Sequence, residues 1–178
     1  MNSSAIADEA TALLKRLKIT TAPVLVETIA SKLGIEIHYL DHGDDSISGM
    51  LVRDGFDKTI TVNASHPPTR QRFTIAHEIG HDLLHEGEVF LDGSAAFRVN
   101  RRDAASSEGS FTEEIEANRF AANLLMPEPW IQEQVAQLLG DDDGITEAGL
   151  VTHLANHFQV SKAAMSTRLL VLGIIQSA

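Results

Sequence analysis

Thr74-Ile75-Ala76-His77-Glu78-Ile79-Gly80-His81-Asp82-Leu83-Leu84-His85 is the stretch whose reading decides the fold. It contains His-Glu-x-x-His. Residues four apart lie one turn above each other on the same helix face, so His77 and His81 can point two imidazoles at one ion. Neutral imidazole suits zinc, at about 2.0–2.1 Å from nitrogen to metal. Glu78 follows the first histidine, where a carboxylate can reach a metal-activated water as a general base without itself being a ligand.

The plainer alternative is a solvated helix face carrying two surface histidines. Phe73, Ile75, Ala76, Ile79, Leu83 and Leu84 argue against it, because they make the helix largely apolar and therefore buried. Histidines and a glutamate in a buried helix need partners, since burying unpaired polar or charged groups is costly. A metal would supply them. His85 is a poor third ligand. It lies two turns beyond His77, about 12 Å along a straight helix, and no Gly or Pro from Asp82 to Leu84 breaks the helix between them. A helix-end histidine near the C-terminal dipole is the better reading, so the third ligand must come from elsewhere.

Composition narrows the class. At 178 residues the chain can bury one core, with room for a small appended subdomain. Hydrophobic content of 43% and charged content of 22% are ordinary for a globular protein. No run approaches the roughly 18 apolar residues of a membrane span. Met1 to Ala10 shows neither a basic nor an apolar leader segment, so a cytoplasmic protein is expected. The absence of cysteine excludes disulfides and thiolate metal sites. A net charge of −11 disfavours direct nucleic-acid binding, which depends on phosphate neutralisation.

Ala5 to Lys18 and Val24 to Leu33 read as covering helices. Ile35 to Leu40, Ile47 to Arg53 and Lys58 to Asn63 alternate like strands, and Asp54-Gly-Phe-Asp57 forms a hairpin turn. They predict a small antiparallel sheet before the metal helix, whose exposed edge could accept a peptide strand. The metal helix itself runs from about Pro68 or Thr69 to His85. Arg70 and Arg72 could pair with carboxylates near the site, but on general grounds they read as surface charges. Val89-Phe-Leu and Ala96-Phe-Arg-Val are short candidate strands, and Asn100 to Gly109 reads as a polar loop beside the cleft.

A second chemical helix is expected to start at Phe111-Thr112, with Thr112 as N-cap, and to stop at Pro127. It carries Glu113, Glu114 and Glu116. An acidic first turn matches the helix dipole. Glu116 is embedded among small and apolar residues, four before Phe120, and is the expected third ligand, with Glu113 one turn away as the fallback. Small residues at 117, 121 and 122 would let this helix approach the metal helix closely. Pro129 to Leu139, Glu147 to Phe158 (capped by Thr146) and Lys162 to about Leu172 (capped by Ser161) complete the chain as helices. Gly140 to Gly144 reads as an acidic turn without calcium-ligand spacing.

With both motifs in view, the chain resembles the ImmA/IrrE family of zinc-dependent metallopeptidases. The matching segments are Arg70-Gln-Arg-Phe-Thr-Ile-Ala-His-Glu-Ile-Gly-His-Asp-Leu-Leu-His85 and Glu114-Ile-Glu-Ala-Asn-Arg-Phe-Ala-Ala-Asn-Leu-Leu-Met-Pro127. The resemblance implies an α+β, zincin-like metallopeptidase domain with its small sheet packed on helices. It implies zinc held by His77, His81 and Glu116, and Glu78 as general base. It further implies a protein partner or substrate: a helix-turn-helix repressor cleaved by the enzyme, or an antitoxin. A peptidase domain over 1–140 is expected, with a C-terminal helical subdomain over 141–178 packed on it.

That last part offers a rival reading, because Leu150 to Leu169 looks like a helix-turn-helix. As a DNA reader it is poorly equipped, with Lys162 and Arg168 nearly its only cations where six or more phosphate contacts are typical. Three functions therefore stand side by side: a site-specific zinc metalloendopeptidase, a DNA-binding regulator, and a toxin–antitoxin-like binding module with a structural metal. The intact Glu78 favours the first, since a structural site needs no base.

Overall fold

The computed structural model describes residues 1–41, 46–87, 89–93, 104–141 and 144–176. Among these, seven helices surround a four-stranded mixed sheet, an α+β arrangement. In chain order they are α1 (Ser3–Arg16), α2 (Val26–Lys32), β1 (Ile35–Leu40), β2 (Ile47–Asp54), β3 (Asp57–Asn63), α3 (Pro68–Leu84), β4 (Val89–Gly93), α4 (Ala104–Leu125), α5 (Glu128–Asp141), α6 (Glu147–Phe158) and α7 (Lys162–Val171).

The sheet runs β1-β3-β2-β4. A two-residue loop, Gly55-Phe56, returns β2 onto β3 with Asp54 opposite Asp57, and Gly55 takes φ +61° there, which glycine adopts without penalty. The expected all-antiparallel order fails at β1, which pairs parallel with β3 from Ile35↔Lys58 to Leu40↔Asn63. The reason is positional. The hairpin uses one edge of β2, and β4 occupies the other. The edge left for β1 is that of β3, which points the same way because β2 reverses the chain once between them. The β2–β4 register shifts between Ile47 and Gly49, a bulge around Ser48 on the strand nearest the site.

Helix α3 starts with Pro68 in its first turn, where a missing N–H costs nothing, and ends with His85 as C-cap. It lies between the sheet and α4, so it is buried on two sides. Ile75 and Ile79 of α3, Phe120 and Leu124 of α4, and Leu51, Ile60 and Val62 of the sheet are fully buried together. The same core takes in Ile6 and Leu13 of α1, Leu154 and Phe158 of α6, and Met165 and Leu169 of α7.

Helix α4 is longer than its sequence suggests. Thr112 is interior rather than an N-cap, and residues 104–109, expected as part of a loop, are helical. Ala104, Ala105 and Glu108 favour helix and no proline interrupts them, so one Gly and three Ser are tolerated. The strand expected at Ala96 to Val99, and the beginning of that loop, lie outside the described residues.

Arg72 is buried rather than a surface charge. Its guanidinium donates to the carbonyls of Val24 (2.9 Å) and Gln159 (3.1 Å), tying α3 to the segment before α2 and to the turn between α6 and α7. Arg70 donates to Ser48 Oγ at 3.0 Å.

Candidate metal centre

The site forms where α3 and α4 come closest. A Cβ built on Gly80 would lie 3.1 Å from Phe120 Cδ1, 3.2 Å from Ala117 Cα and 3.3 Å from the Ala117 carbonyl oxygen. Only glycine at 80 permits that spacing, and the small Ala117 meets it from the other side, as the run of small residues on this helix suggests. His77 lies one turn before this contact along α3 and His81 directly follows it, and both rings meet Glu114 at the start of the α4 motif.

The Nε2 atoms of His77 and His81 are 3.0 Å apart. Glu114 Oε2 is 3.3 Å from the first and Glu114 Oε1 is 3.2 Å from the second. Four-coordinate zinc with bonds of about 2.0–2.1 Å spaces its ligand atoms about 3.3 Å apart. The donor set thus fits such an ion in spacing and in chemistry: two imidazoles and one carboxylate. Among the described residues, His77, His81 and Glu114 form the group of three able to hold a metal. Burial pushes the Glu114 carboxyl up, but hydrogen bonds to His77 and His81 and their charge outweigh it and hold it at about 2.

Glu116, expected as third ligand, faces elsewhere. Its Oε2 lies 3.1 Å from His85 Nε2, and its Oε1 accepts from the α-amino group of Met1. Glu113, the fallback, is not part of the group either; burial and then the Glu114 charge raise its carboxyl. The helical wheel explains the difference. Glu114, Ala117, Asn118 and Ala121 fall on one stripe, three and four residues apart, and Ala117 of that stripe meets Gly80 through its backbone. Glu113, Glu116 and Phe120 fall on the next stripe over. The smallest residue marks the line of closest approach, and the carboxylate one turn before it reaches the histidines.

The histidine rings are held from behind as well. His77 Nδ1 is 3.2 Å from Asn118 Oδ1, and His81 Nδ1 is 3.0 Å from His85 Nδ1. Phe90 of β4 stacks on the His81 ring with centroids 4.5 Å apart. Burial, then the neighbouring His81, lower the His85 pKa to about 4, so His85 is neutral near pH 7. It does sit at the helix end, as expected, but turned inward.

Arg53 of β2 closes the C-terminal end of α3. It donates to the carbonyls of His81 (2.9 Å) and His85 (3.2 Å) and to that of Gly87, and lies over the Phe90 ring at 5.2 Å. Its Nε pairs with Asp82 Oδ1 at 3.0 Å, while Lys58 holds Asp82 Oδ2 at 2.8 Å. Glu78 is fully buried under β2. A Cβ on Gly49 would overlap the Thr74 methyl and lie 2.7 Å from the Thr61 carbonyl oxygen and 3.6 Å from Glu78 Oε1. Gly49 thus lets the strand pass close over Thr74, next to the Glu78 carboxylate.

The helix-turn-helix-like pair keeps its expected local form: Thr146 and Ser161 cap the helices, and Gln159 makes the turn. Its cations do not face out as a pair. Arg168 is buried, donating to the Met126 carbonyl at 3.1 Å and Asn123 Oδ1 at 2.9 Å. The sequence reading missed Asn118, Arg53 and Gly49. Asn118 was legible in principle, four residues after Glu114 on the same stripe. The other two depend on strand packing that no local pattern carries.

Comparisons with known proteins bear on this site. The family described as Peptidase_M78, IrrE N-terminal-like domain, matches residues 30–170. The radiation response metalloprotease IrrE of Deinococcus radiodurans is 40% identical over 88 residues, covering 47% of this chain and 25% of that protein. A Mycobacterium tuberculosis transcriptional regulator of known structure superposes with a TM-score of 0.62 at 18% identity, over 93% of this chain and 47% of that one. The latter likeness concerns the fold alone. The chain spans a quarter of the first relative and about half of the second.

Proposed function

The chain belongs to the IrrE N-terminal-like domain family of Peptidase_M78, and from that premise we propose that it is a zinc-dependent metalloendopeptidase. The observation that carries this reading is the convergence of the His77, His81 and Glu114 donor atoms, with the buried Glu78 next to His77 in the chain. His77 Nε2, His81 Nε2 and one oxygen of Glu114 would hold the zinc. A set of three protein ligands is the set catalytic zinc sites use, whereas structural sites are closed by four. A metal bound there supplies the Lewis acidity that activates water near neutral pH and polarises the scissile carbonyl.

The chain's own groups do the rest. Glu78 takes the proton of the attacking water and returns it to the leaving amine nitrogen. Its burial beneath Gly49 and Thr74 keeps bulk water from that transfer. The Glu114 carboxylate would balance part of the metal charge. Arg53 and Phe90 fix the end of α3 that carries His81.

The substrate we propose is a cytoplasmic regulatory protein, with a helix-turn-helix repressor as the leading class, cut at one site. Burial of Arg168 speaks against the alternative in which α6 and α7 read DNA, because it leaves Lys162 as the exposed Lys or Arg of that pair. The test compares new protein N-termini in host lysate treated with the zinc-loaded wild type and with Glu78→Gln. A cut made only by the wild type supports the peptidase and identifies its substrate. Equal cutting by both would remove Glu78 from its role, and no cutting by a zinc-loaded wild type would argue for a binding function.

A further inference from the structure

The zinc reading leaves His85, Glu116 and Asn118 unassigned, although all three touch the site. An imidazole offers its Nε2 lone pair to a metal only when its proton sits on Nδ1. Both His77 and His81 are buried, with side-chain exposures of 1% and 2%, so each Nδ1–H needs an acceptor within the protein. For His77 that acceptor is Asn118 Oδ1, at 3.2 Å. For His81 the neighbour is another histidine nitrogen, His85 Nδ1, at 3.0 Å. That nitrogen accepts only if the His85 proton is on Nε2. His85 Nε2 lies 3.1 Å from Glu116 Oε2, a carboxylate oxygen placed to accept from an N–H. Glu116 therefore selects the Nε2–H form of His85, which leaves its Nδ1 lone pair for His81, which in turn turns the His81 Nε2 lone pair toward the site.

We propose that Glu116, acting through His85, and Asn118 are positioning residues that lock both metal-binding histidines in the Nδ1–H form. A little over one turn of α4 then supplies the third ligand and both anchors: Glu114 to the metal, Glu116 to the His81 side and Asn118 to the His77 side. The proposal rests on the zinc reading above. It also assigns a role to the carboxylate that sequence alone suggested as a ligand. Outer partners of this kind hold ring orientation and raise ligand basicity, and losing one costs about 10–100-fold in metal affinity.

The test measures zinc affinity by chelator competition for the wild type and for Glu114→Ala, Glu116→Ala, Glu116→Gln and Asn118→Ala. Histidine nitrogen NMR on the zinc-loaded proteins reports the tautomers. We expect one zinc per wild-type chain, with His85 protonated on Nε2. Glu116→Ala and Asn118→Ala should each weaken zinc by about 10–100-fold, and Glu114→Ala by more. Glu116→Gln should recover most of the loss, because its amide oxygen still accepts from His85 Nε2–H.

Unchanged affinity in Glu116→Ala, or His85 protonated on Nδ1 in the wild type, would overturn the proposal. Equal losses in Glu116→Gln and Glu116→Ala would overturn it too, by making the carboxylate itself a ligand. A wild type that binds no zinc would sink the metal reading and the anchors together. Zinc lost in Glu114→Ala but untouched in Glu116→Ala would sink the anchor alone. Should Glu116→Ala misfold, the exposed Asn118→Ala and the wild-type tautomer still decide.

Discussion

Replacing Gly80 with alanine tests whether the α3–α4 approach sets the metal centre. The new methyl would sit 3.1 Å from Phe120 Cδ1, 3.2 Å from Ala117 Cα and 3.3 Å from the Ala117 carbonyl oxygen. Comfortable carbon–carbon contact is about 3.5–4.0 Å. The phenyl ring can rotate, but the two backbone atoms cannot, so the helices must part by a few tenths of an ångström. Overpacking of this kind costs about 1–3 kcal/mol. Gly to Ala in a helix interior returns about 1 kcal/mol. The metal-free protein should therefore lose about 0–2 kcal/mol, a drop in Tm of at most several degrees.

Zinc should feel more. Glu114 moves with α4 and the histidines move with α3, while metal distances tolerate about ±0.2 Å. Binding must pull the helices back together and meet the strain that the empty fold relaxed. If 1–3 kcal/mol of strain returns, zinc binds roughly 5- to 150-fold more weakly. Thermal unfolding of the metal-free protein and zinc titration against a chelator read the two effects separately. A folded Gly80→Ala protein with wild-type zinc affinity would refute the argument that this contact sets the ligand spacing.

Three further expectations follow from the same geometry. Gly49→Ala drives a methyl into Thr74 and the Thr61 carbonyl beside Glu78; kcat should fall at least tenfold while zinc affinity stays within a few-fold, and an equal loss of both would mean that the strand supports the ligands rather than the base. Arg53→Met leaves Asp82 with Lys58 alone and uncaps the end of α3; urea unfolding should show a loss of about 2 kcal/mol, in line with charged hydrogen bonds, and a change under 0.5 kcal/mol would show that water replaces the guanidinium at no cost. For the metal-free protein, the His85 pKa lies at about 4, below its ordinary 6.5. The unfolded chain therefore takes up the proton first, so stability is full above pH 6.5, falls as pH drops toward 4 and levels below it. Relative to His85→Gln, the wild type should lose up to about 1.4 kcal/mol per pH unit across that window, and parallel curves for the two proteins would contradict the burial of a neutral ring.

Much of this protein is legible before any coordinates. The apolar helix bearing His77, Glu78 and His81, the strands from Ile35 to Asn63, and the capped helices after Thr146 and Ser161 follow from short-range signals. Each depends on a period of two or 3.6, a cap or a breaker, and these act over a few residues. The second chemical helix was also visible as the place to look for a carboxylate.

What the chain's local pattern could not decide is which of three neighbouring glutamates turns toward the histidines. Glu113, Glu114 and Glu116 have similar intrinsic preferences, and each sits near small or apolar residues. The choice is made by the rotation of α4 about its axis, which the contact between Gly80 and Ala117 sets. Likewise, β1 runs parallel because β4 fills the free edge of β2, an event of long sequence separation. Arg72 and Arg168 are buried because backbone carbonyls from distant segments converge on them. Sequence alone determined the elements and the chemistry available to them. Tertiary packing decided which side chains meet, because a helix rotated by one residue presents a different stripe, and only the neighbouring helix determines which stripe faces in.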